Sequence, residues 1–338
     1  MVAMSGGVDS SVAAARLLRA GHDVTGVTLK LWGGASDSGC CSVADVEDAR
    51  RVAAQVGVPH YVFNLTEDFQ AAVVDPYVGA HAAGRTPNPC VECNRAIKFG
   101  RLAARAAILG FDALATGHHA RVRRGPDGRC SLLRGADAAK DQSYVLYMLG
   151  QDVLSRLLLP VGELTKAQVR AEAAALGLRT ADKPESMDVC FITRGGREEF
   201  LAGRGAMRPG EIVDGDGRHL GRHGGAAAFT VGQRRGLGVA AGERRYVVDV
   251  DAASGRVTVG GPEDLLRGGV RLSGLCFVAG RPSASEELAA QSRAHGRPAA
   301  AHLTGDVVRF RRPQPRVAPG QVVALYRDDE LVGGGIAV

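Results

Sequence analysis

The sequence has no stretch approaching 18 consecutive apolar residues, and its N-terminus lacks the basic-then-apolar pattern of an export signal. Neither a membrane span nor secretion is expected, and the chain reads as cytoplasmic. Internal repeats and low-complexity tracts are also missing, so nothing points to a solenoid or a disordered tail. Lysine is scarce: 5 of the 42 cations are Lys, and none follows Lys183. Arginine is the better bidentate partner for phosphate, but genomic codon bias gives the same excess. Cysteine comes in an odd number, seven, which argues against a simple disulfide framework. In a reducing compartment, paired thiols are more often catalytic or metal-binding than structural.

What is present is ordinary globular material. Hydrophobic residues make up 45% and charged residues 23% of the 338, which excludes wholesale disorder. The net charge of +6 is uneven. Residues 1–190 hold 21 basic and 20 acidic side chains, whereas residues 191–338 hold 21 and 16. A basic C-terminal half suits a polyanionic partner, though the imbalance alone is weak support.

The first half alternates short apolar runs with amphipathic segments. Strands are expected at 1–4, 24–31, 61–65 and 113–116, and helices at 11–20, 42–56, 97–109 and from 165 to near 177. Ser42 with Asp45, and Thr165 with Gln168, have the spacing of capping boxes, while Gly21 and Gly57 stand where helices end. Alternation of this kind means βαβ units and a parallel sheet. The opening strand is short at four residues, so residues upstream of Met1 are expected. After Cys190 the pattern turns to β-rich pieces between Gly and Pro, at 245–250, 256–259, 270–277, 307–311 and 321–326. That is an all-β signature. Boundaries are expected near 192–200 and 260–270.

The most informative run is Ser5-Gly6-Gly7-Val8-Asp9-Ser10-Ser11, between an apolar strand and a helix. Two glycines let the backbone approach an anion closely, and a helix N-terminus turns free N–H groups and partial positive charge toward it. Three serine hydroxyls add donors. Asp9 either contacts Mg²⁺ through the phosphates or simply occupies the first turn. The lysine of a GxxxxGK[ST] loop is missing, which excludes a Walker A motif. The run instead resembles the pyrophosphate loop of the N-type ATP pyrophosphatases, in which ATP adenylates a substrate; its plain alternative is a Gly/Ser turn. Amide ligation, nucleotide amination, argininosuccinate synthesis and sulfur insertion into tRNA all remain open at this point.

The cysteines narrow the choice. Arg85-Thr86-Pro87-Asn88-Pro89-Cys90-Val91-Glu92-Cys93-Asn94-Arg95 sets a CxxC behind two prolines, just before the apolar-periodic segment from Ile97. Thiols at a helix N-terminus, near Arg95 and Lys98, are favoured as thiolates. A third thiol lies in Glu185-Ser186-Met187-Asp188-Val189-Cys190-Phe191. Cys130 and Cys276 have no accompanying motif and read as small buried hydrophobes. Cys40 and Cys41 read as redox bystanders or a local metal site.

Five motifs now stand in one order: residues 5–11, the run from Thr86 through Cys93 to Phe99, Ala115-Thr116-Gly117-His118-His119, Lys140-Asp141-Gln142-Ser143-Tyr144, and the Cys190 segment. Together they resemble the tRNA-specific 2-thiouridylase family over essentially the whole length. The resemblance implies thiolation of C2 of the wobble uridine in a tRNA anticodon stem-loop. It implies an α/β pyrophosphatase domain with a doubly wound parallel sheet over residues 1–195, a central mainly-β domain over 196–262 and a tRNA-contacting β-barrel over 263–338. ATP, with Mg²⁺, would be bound by Ala3, Met4, Ser5, Gly6, Gly7, Val8, Asp9 and Ser10, with Leu29 lining the adenine pocket and Gly117 allowing close approach. The cysteine matching Cys190 takes up persulfide sulfur from a cysteine desulfurase or relay protein. The one matching Cys93 is the nucleophile that helps release it. Asn88, Pro89 and Cys90 would border the flipped target base, while His118, Lys140, Asp141, Gln142, Arg309, Phe310 and Gln321 would contact tRNA. Without the resemblance, Leu29 reads as core, residues 140–142 as a solvated turn and residues 309–312 as a charged edge strand.

The chain departs from the family at Cys90, where many members carry an acidic residue. Cys90, Cys93 and Cys190 then make three thiolates around one site, suited to a 4Fe–4S cluster with one open iron. Two alternatives stay beside persulfide transfer: this cluster route to the same product, and a related enzyme that aminates or ligates a small molecule. Amination needs no thiols. A non-catalytic RNA-binding module is a third reading, which the intact loop and cysteines oppose.

Overall fold

The structure, a computed structural model, describes residues 1–32, 42–184, 189–192, 196–239, 244–294 and 296–338. Cys40, Cys41 and the Glu185, Ser186, Met187 and Asp188 part of the third cysteine motif lie outside them. Five short strands form the N-terminal sheet: β1 (Val2–Ala3), β2 (Gly26–Lys30), β3 (His60–Asn64), β4 (Leu114–Ala115) and β7 (Leu157–Leu158). They are ordered β3-β2-β1-β4-β7, and every pairing is parallel. Between β4 and β7 the chain makes an antiparallel hairpin of β5 (Ala120–Arg124) and β6 (Cys130–Arg134).

The helices that position the site are α1 (Val8–Arg19), α2 (Val43–Val56), α3 (Pro89–Glu92) and α4 (Lys166–Ala175). Both expected capping boxes form, with Ser42 and Thr165 as N-caps, and Gly57 closes α2 in the left-handed conformation. Val12, Ala13, Val52 and Val169 bury the sheet-facing stripes of α1, α2 and α4 in one core. A second core gathers Phe69, Ile97, Leu102 and Tyr144. The expected helix at 97–109 differs from its forecast. It starts at Pro89, continues as a π-helix over Cys93–Leu102 and returns to α over Ala103–Ile108. Such i→i+5 segments are frequent at functional sites. Among the described residues, no helix is long and apolar enough to cross a membrane.

The central sheet holds β8 (Gly210–Val213), β9 (His219–His223), β10 (Tyr246–Asp251) and β11 (Arg256–Gly260), ordered β10-β11-β8-β9. The C-terminal strands are β12 (Leu266–Phe277), β13 (Leu288–Gln291), β14 (Ala299–Thr304), β15 (Val307–Pro315), β16 (Val322–Arg327) and β17 (Glu330–Ala337). They run β12-β15-β14-β13-β16-β17 and close through β12 on β17, giving the barrel. Closure removes exposed strand edges. The β5–β6 hairpin pairs through β6 onto β17, so the N-terminal domain extends the barrel's sheet. At Gly334 an added Cβ would lie 2.5 Å from the Val323 carbonyl oxygen and 3.0 Å from Tyr147. A glycine there lets β17 press against the N-terminal core.

Candidate active site

Residues 5–11 link β1 to α1 at the end of the sheet where open α/β folds bind ligands. Gly7 is the N-cap of α1, and no side chain caps it. The first N–H groups and the positive end of the helix dipole are thereby left for an anion. Gly6 has φ 69°, and a Cβ there would collide with the Asp45 carbonyl. The serines correct one expectation, because two of the three brace the turn. Ser11 Oγ donates to Gly7 O at 2.8 Å, while Ser10 Oγ donates to Gly7 O at 3.2 Å and accepts from Ser5 N–H at 3.1 Å. Gly117 has a packing reason: a Cβ there would lie 2.6 Å from the Ser10 nitrogen.

Two lysines distant in sequence reach this loop, and the sequence reading missed both. Lys166, the first residue of α4, places Nζ 2.8 and 2.7 Å from the two carboxylate oxygens of Asp9. His119 Nε2 lies 3.0 Å from Asp9 Oδ1. Burial opposes ionisation of Asp9, but these hydrogen bonds and charges outweigh it and hold its pKa below the usual carboxylate range. Lys183 Nζ donates to Gly6 O at 3.0 Å and to Asp45 Oδ1 and Asp48 Oδ2 at 2.7 Å each. Burial lowers its pKa, but the two carboxylates win and raise it. Cations that the loop itself lacks arrive from elsewhere in the fold. His118 is buried, with Nδ1 2.7 Å from Thr116 Oγ1 and its ring 5.9 Å from Phe99. Burial, then the charges of Lys98 and His119, push its pKa well below 6.5. It sits in the cleft wall.

The cleft measures about 430 Å³, and Ala3, Met4, Leu29 and the phosphate loop share its lining with Cys90, Cys93 and Cys190. Asn88 caps α3, its Oδ1 accepting from Cys90 N–H at 3.1 Å, so the CxxC opens a helix as expected. Cys90 is exposed and Cys93 is 8% exposed. Asn94 Nδ2 donates to Val145 O at 3.1 Å and Arg95 donates to the Tyr147 hydroxyl at 2.9 Å, which fixes the following turn. Cys190 is half-buried, and its neighbour Phe191 is inserted between Trp32, Phe69, Tyr77 and Phe200. Truncating such a phenylalanine costs roughly 3–5 kcal/mol, so Cys190 is firmly tethered. Among the described residues, no group of three or more His, Cys, Asp or Glu side chains is arranged to hold a metal ion. The three cysteines share a cleft without forming a ligating trio, and the cluster reading gains no support from the geometry.

Three family models match successive parts of the chain: the tRNA methyl transferase HUP domain over residues 1–194, the tRNA methyl transferase PRC-barrel domain over 198–261 and the aminomethyltransferase beta-barrel domain over 267–337. Curated relatives named tRNA-specific 2-thiouridylase MnmA match nearly end to end. The one from Roseiflexus sp. is 50% identical over 99% of this chain and 98% of its own. That of Chloroflexus aurantiacus is 49% identical over 99% and 97%, and that of Mycolicibacterium paratuberculosis 49% over 97% and 94%. The chain belongs to the tRNA-specific 2-thiouridylase family.

The residues that thiouridylase membership would assign to tRNA are spread over the molecule. Pro89, Lys140 and Gln142 line the cleft, and Gln142 Oε1 accepts from His119 N–H at 2.9 Å. Asp141 faces inward instead. At 5% exposure it accepts from Arg134 at 2.9 Å and from Gly135 N–H, Ser143 N–H and Ser143 Oγ at 3.0 Å, which corrects the expected side-chain contact. On β15, Arg309 is exposed, and Phe310 is half-buried against the barrel core. Gln321 lies outside the cleft lining, its amide donating to Thr86 O at 2.7 Å. Cys130 is core, and Cys276 packs against it.

Proposed function

We propose that the protein is a tRNA-uridine 2-sulfurtransferase that makes 2-thiouridine at the wobble position, with AMP and pyrophosphate as by-products. One observation carries this reading: an anion-binding loop and two cysteines far apart in sequence, Cys93 and Cys190, line the same cleft.

A uracil C2 carbonyl is urea-like and a poor electrophile. Its oxygen first attacks the α-phosphorus of ATP and pyrophosphate leaves, so that C2 carries an adenylate. The N-terminus of α1 holds the phosphates, Lys166 and Lys183 supply charge, and Leu29 borders the adenine. Mg²⁺ would neutralise phosphate charge when bound, and Asp9, the carboxylate of the loop, would have to give up Lys166 to hold it. The outer sulfur of a Cys190 persulfide then attacks C2, and AMP departs with the oxygen. Finally the Cys93 thiolate attacks the Cys190 sulfur. 2-Thiouridine is released, and a Cys93–Cys190 disulfide remains for an external thiol to reduce. Water would return the adenylate to uridine, and the poor exposure of Cys93 suits its exclusion. Cys90, exposed at the rim, is not an obligatory sulfur carrier. A cysteine desulfurase or relay protein loads Cys190, and the setting is cytoplasmic. Methyl transfer, which two of the family descriptions mention, would leave an adenylating loop without a task.

Purified protein given ATP, unmodified tRNA, cysteine and a desulfurase should form 2-thiouridine and pyrophosphate in equal amounts. Pyrophosphate release that ignores tRNA and follows a small amine would support the amination reading instead.

A further inference from the structure

The segment leading into the cysteine pair is held from outside its own domain. Thr86 stands two residues before Asn88, the cap of α3, and its polar groups are taken by the other two domains. Its N–H donates to Pro319 O at 2.7 Å, its carbonyl accepts from Gln321 Nε2 at 2.7 Å, and its hydroxyl lies 3.3 Å from Thr230 Oγ1. Shape closes the contact. Gly320 has φ 91°, and a Cβ there would lie 3.0 Å from the Thr86 nitrogen and 3.1 Å from its carbonyl carbon.

The seat beneath Thr86 is itself braced. Val231, Leu265 and Ala318 share one buried cluster, with Tyr246 and Val248 packed on it, so central domain and barrel meet directly below. Arg316 Nη1 donates to Val248 O at 2.8 Å. Gly320 N–H donates to Ala337 O, and Ala337 N–H to Gln321 O, both at 2.8 Å. Above the seat the chain is stiff. Pro87 and Pro89 fix their φ angles, and Asn88 between them binds Cys90 N–H. A displacement at Thr86 is therefore transmitted to the start of α3 rather than absorbed in the loop.

We propose that Gln321, Gly320 and Thr230 are positioning residues that act through Thr86 to fix residues 88–93 in the cleft, making the thiol chemistry depend on the seated barrel. The inference builds on the thiolation reading, and it gives Gln321 a task other than contact with RNA. One of the two Gln321 amide N–H groups is committed to the Thr86 carbonyl.

The test is Gln321→Ala, with Gln321→Glu as a second variant that keeps the size but loses the donor. In both, alkylation of Cys93 by iodoacetamide, followed peptide by peptide with mass spectrometry, should speed up by about tenfold, because a part-buried hydrogen bond is lost. The kcat for 2-thiouridine formation should fall by a similar factor, with tRNA KM changed by less than about twofold. Gly320→Ala, which pushes on Thr86 without removing any polar group, should give the same pattern. A raised tRNA KM with unchanged kcat and unchanged Cys93 reactivity would make Gln321 an RNA contact and overturn the proposal. Alkylation needs neither ATP nor tRNA, so it reports on the clamp even if the thiolation reading fails.

Discussion

Lys166 and Asp9, 157 residues apart in sequence, form an ion pair beside the phosphate loop with Nζ 2.7 Å from Oδ2. The lysine side chain is 13% exposed and the aspartate 29%, so solvent screens the pair only in part. With His119 on the same carboxylate, Asp9 stays ionised at the entrance to α1 and holds a cation where phosphates would lie.

Asp9→Ala and Ser5→Ala should therefore lose tRNA-dependent pyrophosphate release, by roughly 100-fold for a group that acts on developing charge. Both should still bind tRNA, since the barrel arginines lie elsewhere. Lys166→Ala should weaken ATP binding about tenfold through a lost charge-assisted contact. Pyrophosphate assays and filter binding measure the two properties separately. Release at the wild-type rate from the Asp9 and Ser5 variants would contradict the assignment of this loop.

Stability should fall as the pH drops below neutrality. His81 is 2% exposed, with its ring 4.5 Å from that of Tyr77. Burial, then the charge of Arg197, push its pKa down to about 4. The folded protein keeps this ring neutral, whereas the unfolded chain takes up a proton near pH 6.5. The stabilising difference is complete above that value and is lost toward pH 4, reaching on the order of 2 kcal/mol at about pH 5. His118 acts in the same direction. Urea unfolding at about pH 7.5 and about pH 5 should show a smaller loss for His81→Phe than for wild type. Equal losses would mean that His81 carries no such linkage.

Binding to tRNA should weaken with salt, because neutralising each phosphate releases counterions and adds roughly 0.7–0.9 to the log–log slope. Arg309→Ala and Arg311→Ala should each flatten that slope by about one contact. Both side chains are exposed on β15, and Arg311 is 3.5 Å from Glu287. Phe310→Ala should also lower stability, because its half-buried ring packs against the barrel core. A wild-type slope in both arginine variants would reduce these side chains to keeping the barrel soluble.

Local signals were the legible ones. The capping boxes at Ser42 and Thr165 and the left-handed Gly57 act within one turn, and each marked its helix end. The phosphate loop was legible for the same reason. Lys166 and Lys183 were not, because only the folded sheet brings residues 157 and 177 positions away onto Asp9 and Gly6. Strands β13, β14 and β17 escaped detection because their Ala- and Gly-rich sequences have poor strand propensity. Closure of the barrel and packing of Gly334 on Tyr147 supply what propensity does not. Asp141 was not legible for a related reason: a motif reveals that a residue matters, but whether its side chain faces RNA or turns inward onto Arg134 and Ser143 is decided by tertiary contacts.

Cys93→Ser and Cys190→Ser should each abolish 2-thiouridine, since a hydroxyl cannot carry persulfide sulfur or undergo thiol exchange. Residues acting as one unit lose activity non-additively, so the double variant should be scarcely worse than either single one. Cys90→Ser should keep appreciable activity, because Cys90 carries no sulfur in this route. Loss of both bound iron and product on that change would revive the cluster route.

The central claim is that an ATP loop and two thiols serve one reaction in one cleft, and a single-turnover assay of Cys190→Ser tests it most directly. Pyrophosphate and 2-thiouridine are measured in the same tube, with ATP, tRNA, cysteine and a desulfurase present. The account predicts that pyrophosphate still appears, since adenylation uses a separate segment, while 2-thiouridine does not. Full thiolation by this variant would contradict it.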